Sequence, residues 1–416
     1  MPGGRGKASA GPARPAIPSP GASPMHGTGP HALTARPAAP PPRPWRERWL
    51  ALRHRLIASP RFQRFAAAFP PTRPVARRNA RALFDLCAGF VYAQVLAACV
   101  ALDLFRLLAD GPLAPDCIAR RLDLPPERAL CLLRAAASLD LLTALPDGRF
   151  ALADLGAALL GNPSVGAMIA HHALLYDDLR DPVALLRGRA GPSRLAGYWA
   201  YAGSAAPAAL GEAAVAPYGA LMGASQALVA GDILDAYPLA RHRRLLDVGG
   251  GEGAFAVAAA RRAPHLAVTL FDLPPVAARA ARRFAEEGLG GRATALGGSF
   301  HDGLPPGADL ISLVRVVHDH DDAPAAALLR AAHDALPPGG TLLLAEPMAG
   351  TRGAEPVGDA YFGFYLLAMG SGRPRRAEEL AAMLRQAGFG DIRERATRRP
   401  LLVRLLVARR GSVSKV

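Results

Sequence analysis

The chain has 416 residues and a hydrophobic content of 51%, enough to bury two or more cores, which excludes a small single-core module and predicts a multi-domain globular protein. Its net charge of +15 is concentrated at one end, because residues 1–81 carry fifteen Lys or Arg against a single acid, Glu47, and so account for +14. The rest of the chain is nearly neutral. Only the N-terminal arm therefore has the charge to attract an anionic partner, either nucleic acid or membrane.

Residues 1–44 are mostly Pro, Gly, Ala and Ser without an aromatic residue, a composition that predicts a disordered tail. From there on, apolar residues recur at helical spacing between arginines: Trp45, Trp49, Leu52 and Leu56. This pattern predicts a basic amphipathic arm over residues 45–80. Two roles fit such an arm: a peripheral contact with an anionic membrane, or packing on the protein's own fold or on a second subunit.

Residues 83–105 read LFDLCAGFVYAQVLAACVALDLF, an apolar run interrupted by Asp85, Gln94 and Asp103. A membrane span requires about 20 predominantly apolar residues. The polar residues inside this run and its richness in Ala favour instead a buried helix in a helical dimerisation domain.

The four cysteines lie in one third of the chain, with no secretory signal ahead of them and no metal-ligand spacing such as C-x-x-C: Cys87, Cys99, Cys117 and Cys131. They are predicted to be reduced, mostly buried thiols of a cytoplasmic protein.

Residues 81–205 are predicted to form a mainly helical domain with the order of a winged helix. After a helix that ends at Gly111, helices are expected over 115–124 and 125–145, followed by a short hairpin in 146–154. A winged helix raises the alternative of DNA binding, which requires exposed Arg, Lys, Asn or Gln on the reading helix. The third helix is apolar nearly all round, so we predict that it is buried and that nucleic acid is not a partner.

The stretch RRLLDVGGGEGAFAVAAARRAP places a strand, a glycine-rich turn and a helix in succession, and the next strand, AVTLFDLP, has an acidic end at Asp272. This predicts the opening βαβ unit of an α/β, Rossmann-like sheet in residues 206–416.

The turn carries an acid and three alternate glycines, Asp247, Gly249, Gly251 and Gly253. Glycines let backbone approach a ligand closely in either of two cofactor classes. A dinucleotide needs neutral amides for its pyrophosphate, whereas S-adenosylmethionine is cationic and suits an acid beside the loop. Asp272, 19 residues after Gly253, fits a carboxylate that binds the ribose hydroxyls in either class. The pattern favours S-adenosylmethionine over a nicotinamide cofactor.

The next buried strand, in GADLISLVRVVHDHDD, is predicted to end at Val317 with His318 just past its carboxyl end. Ligand chemistry in open α/β sheets collects at such ends, so His318 is the candidate general base. Five consecutive residues, 318–322, cannot converge on one ion, and no metal is predicted. Glu346, at the exit of a later strand, is either the acid that orients the histidine or a solvated strand-end acid.

Taken in order, LLDVGGGEGAF, FDLP, GGSF, LVRVVHDHDD, LLLAEPMA and LRQAGF resemble the small-molecule O-methyltransferase family that includes plant phenolic and acetylserotonin methyltransferases. The resemblance covers about residues 80–405. The segments RWLALRHRLIASPRFQRFAAAFP and ARALFDLCAGFVYAQVLAACVALDLF look most like the purple-bacterial carotenoid branch of that family. It implies a class I methyltransferase sheet and an N-terminal helical domain that interlocks two subunits in a homodimer.

The resemblance also implies roles for single residues. It gives the glycine loop and ribose site to Gly249–Gly253, Asp272 and Leu273, the adenine contacts to Ser299 and Phe300, a position near the cofactor to Arg315, and the base and its orienting acid to His318 and Glu346. Many relatives carry an Asp at the position of Ser299, and plant members a Lys at that of Arg315. A second orienting acid of the family falls near Pro374, which has no carboxyl group.

The function implied is S-adenosylmethionine-dependent methylation of the tertiary hydroxyl of an acyclic hydroxycarotenoid, of the demethylspheroidene or hydroxyneurosporene type. The protein is expected to be cytoplasmic, with a peripheral contact on the inner membrane through its arm. The same fold acting on a bacteriochlorophyll precursor or on a polyketide or phenolic acceptor is the alternative.

Overall fold

The computed structural model of the chain describes residues 44–198, 223, 226 and 228–411. These residues divide into two units, one up to Asp85 and one from Leu86 onward. The predicted disordered tail, residues 1–44, lies outside the described residues except for Pro44. The predicted domain boundary at residue 205 lies outside them as well.

The N-terminal unit contains helices α1 (Trp45–Ala58) and α2 (Pro60–Ala68) and the beginning of α3 (Arg73–Ala101). The predicted helix at Trp45 is confirmed, and none of the residues of α1 is buried. A proline at the first position of α2 starts that helix, where a missing N–H costs no intrahelical hydrogen bond.

Helix α3 is long and apolar but hardly buried. Among the described residues it is the helix that is long and apolar enough to cross a membrane by length and composition, and 6% of its apolar window is buried. Leu86 and Phe90 are 82% and 69% exposed, and Cys99 is the buried residue of this helix. The prediction of a buried helix is therefore wrong for a single chain.

The four cysteines are free thiols. Cys99 is buried, as predicted, but Cys87 and Cys131 are exposed, because they project from the outer faces of α3 and of a later helix. The prediction of burial is therefore wrong for these two.

The second unit continues with α4 (Leu104–Leu107), α5 (Pro115–Arg121), α6 (Pro126–Ser138), the hairpin of β1 (Leu142–Ala144) and β2 (Phe150–Leu152), and α7 (Asp154–Leu160). This is the predicted winged-helix order. Helix α6 buries Ala129, Leu133 and Ala136 in the core of this part. It ends well before the predicted residue 145, because Asp140 adopts a left-handed φ of 56° and β1 begins two residues later.

Four further helices lead towards the sheet: α8 (Pro163–Asp178), α9 (Pro182–Leu186), α10 (Arg194–Tyr198) and α11, described over 228–236.

The sheet contains β3 (Arg244–Val248), β4 (Ala267–Asp272), β5 (Ala293–Gly297), β6 (Leu310–Val314), β7 (Thr341–Glu346), β8 (Phe389–Arg395) and β9 (Arg404–Arg410). Its order is β5-β4-β3-β6-β7-β9-β8, with β3 to β7 parallel and β9 antiparallel to both neighbours. The strand order reverses beside β3, and ligands bind at the carboxyl ends of strands at such a switch point. The predicted α/β sheet is confirmed.

Helices cover both faces of the sheet: α12 (Ala254–Arg262), α13 (Pro274–Glu286), α14 (Asp322–Ala335) and α16 (Ala377–Gln386). A further helix, α15 (Gly363–Met369), follows β7 in the chain. Two apolar clusters form the core, one on each face. A smaller cluster packs α8 and α10 against α15. Through this third cluster the helical part of the unit reaches the carboxyl edge of the sheet.

Candidate active site

The glycine loop joins β3 to α12 at the carboxyl edge of the sheet. Gly249, Gly251 and Gly253 have φ values of 65°, 58° and 80°, which glycine adopts without steric cost. A Cβ on Gly249 would lie 2.8 Å from Val316 Cγ2, and one on Gly253 would lie 2.7 Å from Phe284 Cε1. The backbone conformation therefore favours glycine at all three positions, and close packing also requires it at Gly249 and Gly253.

Asp247 lies beneath this loop and is fully buried. Its Oδ1 accepts a hydrogen bond of 2.6 Å from Ser312, whereas Oδ2 has no hydrogen-bond partner among the described residues. A Cβ on Gly250 would come within 2.5 Å of that oxygen. Burial raises the pKa of Asp247 to about 7, against the lowering effect of the Ser312 hydroxyl. A buried acceptor with a free lone pair thus lies directly under the loop.

Asp272 ends β4 and faces the loop. Its Oδ2 accepts from the Gly251 amide at 2.8 Å and its Oδ1 from the Leu273 amide at 2.7 Å. Burial raises the pKa of Asp272 to about 6, although both amides lower it. A carboxylate has about four acceptor positions, so this side chain is fixed by the backbone and can still accept from a ligand.

A cavity of about 370 Å³ opens in front of the loop. The predicted site residues on its wall are Gly249, Gly251, Asp272, Leu273, Ser299, Phe300 and Arg315. The other predicted residues, Asp247, Gly253, His318 and Glu346, lie behind or beside that wall.

One end of the cavity is aromatic. Ser299 caps a 3₁₀ turn by accepting from the His301 amide at 3.3 Å, and the Phe300 ring meets the His320 ring edge-on at 5.1 Å. Burial lowers the pKa of His320 to about 4, so this ring is neutral at physiological pH. Sequence reasoning missed His320 because, within residues 318–322, only His318 was given a role of its own.

Arg315 marks a difference from the predicted strand. Strand β6 ends at Val314 instead of Val317, because Arg315 adopts a left-handed φ of 59°. The next two amides leave the ladder and donate to Glu346 Oε1, from Val316 at 3.0 Å and from Val317 at 2.7 Å. The candidate base therefore lies on a 3₁₀ turn, Val317–Asp319, and not at a strand end.

His318 and Glu346 form a buried pair. The imidazole Nδ1 lies 2.5 Å from Glu346 Oε2, and Glu346 is 2% exposed, so the alternative of a solvated acid is wrong. Nε2 lies 3.1 Å from Asp319 Oδ1 in an orientation that makes no hydrogen bond. Nδ1 is thus held, and Nε2 is left with a carboxylate beside it.

Burial alone would lower the pKa of His318, but the carboxylates of Asp319 and Glu346 outweigh it, and the pKa is raised. Burial also raises the pKa of Asp319 to about 6, while His318 lowers it. An imidazole with a raised pKa accepts a proton readily, which suits a general base.

A wall of uncharged aromatic pairs stands beside the base. A π-helical turn, Val357–Phe362, leads into α15 and presents Phe362 edge-on to His318, with centroids 5.8 Å apart. Two hydrogen bonds tie this part to α8. The Tyr361 hydroxyl lies 2.8 Å from His172 Nε2, and the Tyr365 hydroxyl lies 2.8 Å from His171 Nε2.

Burial lowers the pKa of His171 to about 4 and also lowers that of His172. It raises the pKa of Tyr361 to about 12. The wall is therefore neutral. No sequence motif indicated it, because its members come from segments that are about 190 residues apart in the chain.

Pro374 supplies no second acid at the position where the family resemblance expected one, and the segment around it contacts the turn of the base through hydrogen-bond donors instead. Among the residues that the structure describes there is no group of three or more His, Cys, Asp or Glu placed to hold a metal ion.

Family models match most of the chain: an O-methyltransferase domain over residues 177–390 and an O-methyltransferase dimerisation domain over residues 84–162. The chain belongs to the O-methyltransferase family. Its class I sheet and helical N-terminal domain agree with that membership.

Two curated relatives cover nearly the whole chain. The chain is 46% identical over 359 residues to demethylspheroidene O-methyltransferase of Cereibacter sphaeroides. The aligned region covers 86% of this chain and 94% of the relative. It is 40% identical over 388 residues to the Rhodobacter capsulatus protein of the same name, over 92% and 95%. The fold also matches the crystal structure of human N-acetylserotonin methyltransferase in complex with SAM, with a TM-score of 0.66 and 24% identity over 80% of this chain and 98% of that chain.

The dimerisation domain accounts for the exposed face of α3. Its match begins at residue 84, so the apolar part of α3 belongs to a domain whose family pairs two subunits. This supports a homodimer, and it gives the exposed Leu86 and Phe90 a reason that lies outside the single chain.

Proposed function

We propose that this O-methyltransferase transfers a methyl group from S-adenosylmethionine to the tertiary hydroxyl of an acyclic hydroxycarotenoid, as a step of carotenoid biosynthesis. The observation that carries the proposal is the buried His318–Glu346 pair beside a cavity lined by a glycine loop and Asp272. The acceptor class is supported by the two demethylspheroidene O-methyltransferases, which align over nearly their whole length.

The residues of the cavity fit S-adenosylmethionine. Asp247 Oδ2 is a buried acceptor without a partner among the described residues, and Gly250 beside it leaves no room for a Cβ. Asp272 would accept from the ribose hydroxyls, with Leu273 beside it, and Ser299, Phe300 and Arg315 would line the rest of the site. Acidic groups suit a cation, whereas a pyrophosphate would be repelled by them.

When bound, S-adenosylmethionine supplies a methyl group on a cationic sulfur. His318 Nε2 takes the proton of the acceptor hydroxyl as the oxygen–carbon bond forms and the carbon–sulfur bond breaks. Glu346 keeps Nδ1 protonated and stabilises the imidazolium that results. A base of this kind contributes about 10²–10⁴-fold. A general base is especially important for this acceptor, because a tertiary alcohol is a far poorer nucleophile than a phenolate.

The neutral wall suits an acceptor that has no charge. In both His–Tyr pairs the tyrosine hydroxyl and the histidine Nε2 hydrogen-bond each other, so an apolar chain can lie against these atoms without leaving them unpaired. Holding the hydroxyl in line with the methyl group can supply roughly 7–11 kcal/mol of the barrier.

The acceptor can be identified by incubating the purified protein with methyl-labelled S-adenosylmethionine and a carotenoid extract, and locating the label by chromatography. A matched extract of carotenoids without a hydroxyl group is the control. Label in a methyl ether of the hydroxylated carotenoid is expected. Label in a bacteriochlorophyll precursor or a phenolic compound instead would move the acceptor to the alternative class.

The arm is proposed to rest on the anionic inner face of the membrane, where the carotenoid is dissolved, with the enzyme on the cytoplasmic side. With about 3.6 residues per turn, one side of α1 carries an apolar stripe with arginines on both flanks: Trp45, Trp49, Leu52 and Leu56, between Arg46 and Arg53 on one flank and Arg48 and Arg55 on the other. Trp45 is 72% exposed. Leu50 and Ile57 lie off the stripe and weaken its amphipathicity.

Deleting residues 1–58 tests this contact on vesicles of anionic and of neutral lipid. Each basic residue near an anionic surface contributes about 1 kcal/mol, and salt screens it. The full chain should therefore bind anionic vesicles in low salt, and the truncated chain should not. Equal binding by both would remove the arm from the membrane, and dissociation of the truncated chain into unfolded monomers would assign the arm to packing.

A further inference from the structure

The turn that carries His318 is bound along its whole length by one short segment, Ser371–Arg375. Each of four successive carbonyl oxygens accepts a hydrogen bond from it: Val317 from Arg375 Nη1 at 2.9 Å, His318 from the Arg373 amide at 3.0 Å, Asp319 from the Ser371 hydroxyl at 2.9 Å, and His320 from Arg375 Nη2 at 2.8 Å. We call this set of donors the carbonyl clamp.

Arg375 is the centre of the clamp and is buried, with 2% exposure. Its guanidinium also bonds Asp322 Oδ1, at 2.8 Å from Nη2 and 3.1 Å from Nε. Burying a charge is costly unless it is paired and hydrogen-bonded. Here the cost is met by a set of acceptors that all belong to the turn of the base and to the residues that follow it.

Gly372 lets the clamp come this close. Its φ is 81°, and a Cβ at this position would lie 2.2 Å from the His318 carbonyl oxygen. Its amide donates to Asp321 Oδ1 at 3.0 Å. Any side chain at position 372 would clash with the backbone of the turn that carries His318, so only glycine allows this contact.

A 3₁₀ turn of three residues has weak internal hydrogen bonds, so the orientation of its side chains depends on what holds it from outside. Glu346 holds the ring through Nδ1 and the start of the turn through two amides. The clamp holds the same turn through its carbonyls. We infer that Arg375 is a positioning residue, which fixes the backbone of His318 and Asp319 so that Nδ1 meets Glu346 while Nε2 stays open towards the acceptor.

This inference rests on the proposed role of His318 as the base. A positioning role for Arg375 differs from a role in folding alone, and Arg410 serves as the comparison for a role in folding alone. Arg410 also donates from one guanidinium nitrogen to several carbonyls, those of His333, Asp334 and Leu336 at the end of α14. That arginine stabilises a helix end far from the base.

The test compares Arg375→Met with Arg410→Met in the full-length protein, by thermal unfolding, cofactor affinity, kcat and the pH dependence of kcat. Both variants should lose stability. Only Arg375→Met should lower kcat, by about 10–100-fold, because small misplacement of a catalytic group has effects of that size. It should also move the rising limb of the pH profile to lower pH. The carboxylates of Asp319 and Glu346 would no longer be held beside the imidazole and would raise the pKa of His318 less. Its cofactor affinity should stay within a few-fold.

Chemical rescue gives a second readout. Guanidinium at low concentration should restore part of the kcat of Arg375→Ala and should leave that of Arg410→Ala unchanged. If Arg375→Met does not fold, Ser371→Ala removes a single hydrogen bond of the clamp and should lower kcat several-fold with the same shift in pH profile.

Two outcomes separate the two levels of the proposal. If His318→Ala keeps full activity, the proposed base is wrong and the clamp has no catalytic meaning. If His318→Ala is inactive while Arg375→Met and Ser371→Ala keep the kcat and pH profile of Arg410→Met, the base stands and the positioning role of the clamp is overturned.

Discussion

At the scale of single residues, the proposed chemistry depends on one imidazole and two carboxylates packed together at the 3₁₀ turn. His318 lies between Glu346 on Nδ1 and Asp319 beside Nε2. Against the lowering effect of burial, these carboxylates keep its pKa above the ordinary value of about 6.5. The base must be neutral to accept a proton, so kcat should rise as pH increases through this raised pKa.

Asp319→Asn should move the rising limb of the kcat profile to lower pH, because the substitution removes one of the two carboxylates that raise the pKa of His318. Steady-state kinetics from about pH 5 to pH 9 measures the shift. Glu378→Gln, on the outer side of α16, serves as a control that should leave the profile in place. A limb that does not move in Asp319→Asn would show that this carboxylate does not act on the base.

Asp272→Asn should weaken S-adenosylmethionine binding by about 1.5–3 kcal/mol, which is the worth of a hydrogen bond to a charged group. In the wild type, affinity should fall as pH decreases through the pKa of Asp272, about 6, because the protonated acid accepts less well. Isothermal titration calorimetry at pH 5.5 and pH 8 measures both effects. Wild-type affinity in the variant at both pH values would exclude Asp272 from the site.

Sequence reasoning placed His318 and Glu346 together because one follows a buried strand and the other ends one, and parallel strands end at one edge of the sheet. It could not find the neutral wall. The wall depends on a π-helical turn that aims Tyr361 and Phe362, and on a helix, α8, that is distant in the chain. The spacing of residues along the sequence predicts neither the π-helical turn nor the contact with α8.

At the scale of elements, the glycine loop shows a constraint that the alternating motif hides. Gly249, Gly251 and Gly253 were predicted from their spacing, yet the tightest contact belongs to Gly250, where a Cβ would come within 2.5 Å of Asp247 Oδ2 and 2.8 Å of Leu270 Cδ1. Both neighbours are buried, so neither can move aside cheaply.

Gly250→Ala should therefore lower the free energy of unfolding by about 1–3 kcal/mol, as expected for an overpacked core, and weaken cofactor binding by displacing Asp247. Gly291→Ala is the matched control, because a Cβ there has no atom within 4 Å. Chemical denaturation and cofactor titration of both variants measure the contrast. Equal behaviour of the two variants would contradict the packing described for the loop.

The predicted ends of two elements were wrong for the same physical reason. The helix α6 and the strand β6 stop early where Asp140 and Arg315 take left-handed φ values of 56° and 59°. Non-glycine residues rarely adopt this conformation, so neither sequence carried a glycine or proline signal for the break. The elements themselves were predictable, because their apolar periodicity is long and regular.

At the scale of the whole molecule, the single chain does not bury the apolar face of α3. Its apolar residues belong to a dimerisation domain and remain exposed in one subunit. Apolar content alone could not tell a core helix from an interface helix, and only the family resemblance pointed to a second subunit.

Leu86→Glu and Phe90→Glu should each shift the protein from dimer to monomer, because a charge would be buried without a partner in the interface. Sedimentation velocity measures the change. Leu401→Glu, at another exposed leucine, should remain dimeric. If both α3 variants sediment as dimers, the second subunit does not cover this face.

This O-methyltransferase is proposed to methylate a carotenoid hydroxyl with His318 as base. The decisive measurement is the rate of methyl transfer from labelled S-adenosylmethionine to a purified acyclic hydroxycarotenoid, for the wild type and for His318→Ala. The wild type should form the labelled methyl ether. The variant should be about 100-fold slower or more, with cofactor affinity unchanged within a few-fold. No methyl ether from the wild type, or a full rate in the variant, would contradict the account.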